Sequence, residues 1–106
     1  MTHPTPVLRA YWTAQELGKM LATCLSLQHD QAADRLCCLH AFTRLRAVCE
    51  LWANDPDPDA FEEYYLLLFD ALGFMTTAWQ CLGERRRMMA YTVEKLDAIK
   101  ALYHNS

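Results

Sequence analysis

Three observations predict an all-α fold, an antiparallel four-helix bundle occupying residues 1–106 as a single domain. Only three glycines and four prolines interrupt the chain, and the prolines fall in two places, Pro4 and Pro6 at the start and Pro56 and Pro58 in the middle. Between these breaks, apolar residues recur every third or fourth position, the period of a helix buried along one face. The resulting segments, near 6–28, 31–53, 60–82 and 85–104, have similar lengths, which suits an up-down bundle. A chain of this size buries roughly 65% of its unfolded surface, enough for one modest core without metals or disulfides.

The first helix opens at Thr5-Pro6. Thr13-Ala-Gln-Glu16 has the spacing of a capping box, or else is a turn of a helix already begun at Pro6. Leu17, Met20, Leu21, Cys24 and Leu25 supply its apolar stripe. His29-Asp30 makes a short break, with Asp30 as N-cap of the second helix because its carboxylate can accept from free backbone N–H groups. In that helix Cys38, Phe42, Leu45, Cys49 and Trp52 are spaced 4-3-4-3, as in a heptad seam. Asn54-Asp-Pro-Asp-Pro-Asp59 cannot continue it, since each proline lacks an N–H and disfavours helical geometry in the residue before it.

Asp57 or Asp59 is expected to cap the third helix, with Glu62 and Glu63 at its positive end. This helix has two apolar stripes, one through Phe61, Tyr65, Leu68, Leu72, Met75, Trp79 and Leu82, the other through Leu67, Ala71, Phe74, Ala78 and Cys81. Two such faces mark a central helix or an interface helix. At Gly83 a turn is expected, with a third helix continuous into the fourth as the alternative, because no Ser, Thr, Asp or Asn between Ala78 and Tyr91 offers a cap. Arg85, Arg86 and Arg87 would oppose the positive end of a helix beginning there. The fourth helix sets Met89, Val93, Leu96, Ile99 and Tyr103 on one side and Glu94, Lys95, Asp97 and Lys100 on the other.

The net charge of −3 is unevenly spread. No Lys or Arg occurs between Ala47 and Glu84, and residues 54–83 carry −6. With a single dense basic run at Arg85–Arg87, the pattern argues against nucleic acid as the partner. Five cysteines, an odd number, follow an N-terminus without the basic and apolar blocks of a secretory signal, so reduced thiols and a cytoplasmic location are expected. The run Tyr64–Leu82 approaches the length of a membrane span, but Asp70 near its middle would cost about 2.5–3.5 kcal/mol on insertion, and Thr76, Thr77 and Gln80 add to this. A protein interior is the expected surrounding.

Arg35-Leu-Cys-Cys-Leu-His40 resembles the Arg-x4-6-His ribonuclease motif of HEPN domains, which are themselves small helical bundles. The resemblance would make Arg35 and His40 catalytic, although Leu36 stands where that family often has a polar residue. Seven arginines and four histidines make such a spacing easy to meet by chance. Cys37 and His40 lie one turn apart, but no second Cys or His pair completes a four-ligand zinc site, and no metal or other cofactor is expected. Asp55-Pro-Asp-Pro-Asp59 starts like an EF-hand loop, yet Ala60 replaces the required glycine and Leu66 the bidentate glutamate.

No nucleophile with its base, phosphate loop or carboxylate pair is evident, and enzymatic activity is not expected. The composition points to a protein–protein interaction module, an adaptor, small chaperone or inhibitor, with a protein partner and a tendency to form a homodimer. Phe61, Tyr64, Tyr65, Phe74 and Trp79 are the candidate anchors on the third helix. Asp55, Asp57, Asp59, Glu62 and Glu63 form a candidate acidic patch, and Arg85, Arg86 and Arg87 a candidate basic cluster. The alternative is a nucleic-acid-directed protein, either a nuclease using Arg35 and His40 or a binder using the basic cluster.

Overall fold

The computed structural model describes residues 5–105, Pro58 by its backbone alone; the N-terminal residues 1–4, read above for a signal, lie outside it. Four helices make a body 42 × 25 × 15 Å: α1 (Thr5–Ser26), α2 (Gln31–Ala53), α3 (Glu62–Gln80) and α4 (Arg85–His104). α3 packs against both α2 and α4, α1 packs more extensively on α4 than on α2, and the diagonal pairs barely touch. This is the expected bundle. Among the described residues no strand is present, and no helix is long and apolar enough to cross a membrane.

The predicted seams form the core. Leu17, Leu21 and Cys24 of α1, Cys38, Leu45, Cys49 and Trp52 of α2, Leu68 and Met75 of α3, and Met89, Leu96 and Ile99 of α4 are all buried. The double stripe of α3 is accounted for by its two neighbours. Tyr65 of the first stripe stacks on Trp52 of α2 with ring centroids 5.8 Å apart, while Phe74 of the second meets Tyr91 of α4 at 5.5 Å. Cys81 and Leu82, placed on these stripes by spacing, lie beyond the helix end and are exposed.

The helix boundaries follow local chemistry with two corrections. Asp30 caps α2 as expected, its carboxylate accepting from the N–H groups of Ala32 at 3.0 Å and Ala33 at 3.3 Å. Thr13 lies inside α1, buried, so the capping-box reading fails and the chain is already helical from Thr5, the first described residue. Neither Asp57 nor Asp59 caps α3: a 3-10 turn over Pro58–Phe61 intervenes, and no side chain bonds the first free N–H groups. Asp55 instead accepts from the N–H of Asp57 at 2.9 Å, fixing the connector.

Between α3 and α4 the turn prevails. A second 3-10 segment, Leu82–Glu84, breaks the helix, and α4 begins without a side-chain cap. The arginines that oppose its positive end serve the negative ends of other helices. Arg85 donates from Nε to the Ala78 carbonyl at 2.9 Å and from Nη2 to the Trp79 carbonyl at 3.3 Å, in the last turn of α3. Arg86 donates from Nη2 to the Cys24 carbonyl at 3.0 Å, in the last turn of α1. Satisfying free C-terminal carbonyls with guanidinium groups offsets the unfavourable placement in α4.

Candidate functional site on the α2–α3 face

The apolar residues that the core does not absorb concentrate along α2 and α3. On α2, Leu36 (68% exposed) and Leu39 lie outside the seam, one turn apart. With Ala32, Arg35 and Trp79 of α3 they line a surface cavity of about 330 Å³. The Arg35 guanidinium sits 5.3 Å from the Trp79 ring centroid, a cation–π contact that fixes both side chains. On α3, Leu66 and Phe69 (54% exposed) point outward.

Phe69 is the open end of an aromatic ladder. Trp52, buried on α2, packs edge-on against Phe61 at 6.0 Å and stacks on Tyr65, and Tyr65 stacks on Phe69 at 5.9 Å. The ladder holds Phe69 in place while leaving more than half of it in water. An apolar side chain already immobilised gives up little entropy on docking. Trp79 beside Arg35 and Tyr65 beside Trp52 also set the register of the two helices, which run antiparallel.

The five candidate anchors are thus distributed within the fold. Tyr64 is buried in the core, Phe61 and Tyr65 are half-buried against Trp52, Phe74 is half-buried against Tyr91, and Trp79 is half-buried beneath Arg35. Leu36, Leu39, Leu66 and Phe69 are the more exposed members of the face. Their signal in the sequence was their position: each is a large apolar residue that falls outside the seam of its own helix.

The acidic patch gathers at the connector between α2 and α3 and the first turn of α3. Asp57, Asp59, Glu62 and Glu63 are exposed, Asp55 is half-buried, and among the described residues none of the five forms an ion pair. The basic cluster lies at the opposite end, where Arg85, Arg86, Arg87, His29 and Asp34 border a cavity of about 390 Å³. Its charges are engaged by the fold: Arg85 and Arg86 at helix ends, Arg87 with Glu84 at 3.1 Å.

Arg35 and His40 do not face a common cleft. Five residues apart on one helix, they diverge by about 140°. Arg35 turns to Trp79 on the α3 side, and His40 lies 3.8 Å from Glu16 on the α1 side. Among the described residues no three His, Cys, Asp or Glu side chains converge to hold a metal ion.

The cysteines carry no disulfide. Burial, then the hydrogen bond it donates to Asp34 at 3.2 Å, pushes the Cys24 thiol up to about 12, and burial lifts Cys38 and Cys49 to about 11. These three are neutral packing groups at physiological pH. Cys81 alone is exposed. No protein-family model matches the chain, and no curated protein and no solved structure matches it either.

Proposed function

We propose that the protein is a protein–protein interaction module that docks its partner on the α2–α3 face. One observation carries the reading: Leu36, Leu39, Leu66 and Phe69 remain exposed on two adjacent helices whose other apolar stripes are already occupied. Single exposed apolar residues are normal on a protein surface, whereas apolar side chains gathered around surface hollows mark interaction sites; Leu36 and Leu39 share one hollow with Trp79, and Phe69 lines another with Gly73 and Met88. Fixed aromatic anchors in the middle of such a set, here Phe69 and Trp79, are the groups that carry binding energy. The unpaired carboxylates at one end of the face would guide association and orientation more than they would strengthen binding.

The test is photo-crosslinking in the cell that makes the protein. A photoreactive phenylalanine analogue at position 39 or 69 should yield adducts of defined mass, and the same probe at Trp12 or Leu27, more exposed than either but off the face, should not. Adducts confined to positions 12 and 27 would overturn the assignment.

A further inference from the structure

We infer that the occupant of this face is a second copy of the chain, its α3 running antiparallel across the first, with Phe69 of each copy seated over Gly73 of the other. The inference rests on the reading of the α2–α3 face as a docking surface and names what docks there.

The outward side of α3 carries a third seam that has no counterpart within the molecule. Glu62, Leu66, Phe69, Gly73, Thr76 and Gln80 follow one another at 4-3-4-3-4 spacing, which places them in one row along the helix. Leu66, Phe69 and Gly73 are exposed, and Thr76 spends its hydroxyl on the Leu72 carbonyl at 2.8 Å, an ordinary helical back-bond. The row therefore has an apolar and small middle and polar ends. That is the plan of a helix pairing with another helix.

Gly73 gives the second observation. It sits in the interior of α3, where glycine costs about 1 kcal/mol relative to alanine. Nothing in the chain calls for it: its φ is not positive, and a Cβ built there would meet no atom within 4 Å. Gly18, in contrast, lies under Leu96, with a built Cβ 3.7 Å from Leu96 Cβ. What the missing Cβ at position 73 provides is close approach from outside. A hole at the centre of an exposed row, one turn from a fixed aromatic knob, is what a self-pairing helix presents.

Symmetry decides between a second copy and a foreign helix. In a two-fold interface, residue i meets j and j meets i, so every feature must have its complement at equal distance from the axis. An axis midway between Phe69 and Gly73 pairs knob with hole twice. Glu62 lies seven residues before Phe69 and Gln80 seven after Gly73, so the same axis brings Glu62 to the level of the partner's Gln80. At that level Arg35 stands beside Trp79. Among the described residues Glu62 and Arg35 have no ion-pair partner in their own chain. Leu66 likewise reaches the level of Thr76 and Leu39. Shape and charge are independent properties, and both satisfy one axis.

Sedimentation velocity of the full chain over a concentration series tests this. The wild type should form a dimer of the 12.3 kDa chain. Phe69→Arg, at an exposed position, should sediment as a monomer with an unchanged helical spectrum. Gly73→Ala should raise the thermal midpoint of the monomer and weaken the dimer at least about tenfold. Arg35→Glu and Glu62→Arg should each weaken it, and the double exchange within one chain should restore it. A wild type that stays monomeric at every concentration would overturn the homodimer while leaving the face to a foreign partner. A dimer indifferent to Phe69→Arg and Gly73→Ala would place self-association elsewhere and also overturn it. The docking reading itself fails separately, on absence of crosslinks from positions 39 and 69.

Discussion

The Arg86 Nε lies 3.7 Å from the carboxylate oxygen Oδ2 of Asp34, a side chain only 3% exposed. Among the described residues that oxygen accepts no hydrogen bond of good geometry; Arg86 supplies the positive charge beside it, and His29 Nε2 stands 3.3 Å away. The second oxygen accepts from the Cys24 thiol. The first turn of α2, the last turn of α1 and the first turn of α4 are thereby joined around one buried charge.

Arg86→Ala should cost about 2 kcal/mol in urea unfolding at pH 7. This is below the roughly 3–5 kcal/mol expected for breaking a fully buried pair, because Arg86 is partly exposed and water screens it. Adding Asp34→Asn to that variant should recover part of the loss by removing the uncompensated charge. A double variant no more stable than Arg86→Ala would show that Asp34 is not the source of the cost.

Trp52 anchors the contact of α2 with α3, and its buried indole N–H has no hydrogen-bond partner among the described residues. Trp52→Ala should destabilise by about 3–5 kcal/mol through the cavity it leaves. Trp52→Phe keeps an aromatic ring against Tyr65, leaves a smaller cavity and removes the unsatisfied donor, so its net loss should be held to about 1.5 kcal/mol. Equal losses for the two variants in thermal unfolding would contradict this account of the site.

The raised thiols give a pH dependence with a fixed sign. In the fold Cys24, Cys38 and Cys49 stay protonated to about 11 or 12, whereas unfolded they ionise from the ordinary value of 9.0. The unfolded chain then holds fewer protons, so their contribution is whole below pH 9 and is lost as pH rises toward 12. The urea midpoint should fall between pH 8.5 and pH 10.5 more steeply in the wild type than in a variant with the three cysteines replaced by Ala. At pH 8, a thiol reagent should label Cys81 first in the native protein. Equal slopes or uniform labelling would contradict the assignment.

The periodic parts of this fold were legible from sequence because their signal is local. Four segments, the Asp30 cap and the core seams follow from spacing and from single side chains. The start of α3 was not, since a 3-10 turn through Pro58 and a full turn of α-helix make similar demands on composition. The arginines at the head of α4 were read as an anomaly for a clear reason: their partners, the carbonyls of Cys24, Ala78 and Trp79, come from other helices. The face proposed for docking is half legible. The excess of apolar residues on α3 is visible in the sequence, but which of them stay exposed depends on where Trp52 and Tyr91 stand. Aromatic character marks Tyr64 and Tyr65 as anchors, yet Leu66 and Phe69, next to them in the chain, are the exposed ones.

The central claim is that the α2–α3 face is covered by protein when the molecule works. Hydroxyl-radical footprinting in the cell, with each side chain's oxidation divided by its rate in the dilute purified protein, measures this directly. Leu36, Leu39, Leu66 and Phe69 should be protected several-fold, while Trp12 and Leu27, on α1 and after its end and at least as exposed as Leu39 and Phe69, should oxidise as in the purified protein. Equal ratios for the two groups would contradict the claim.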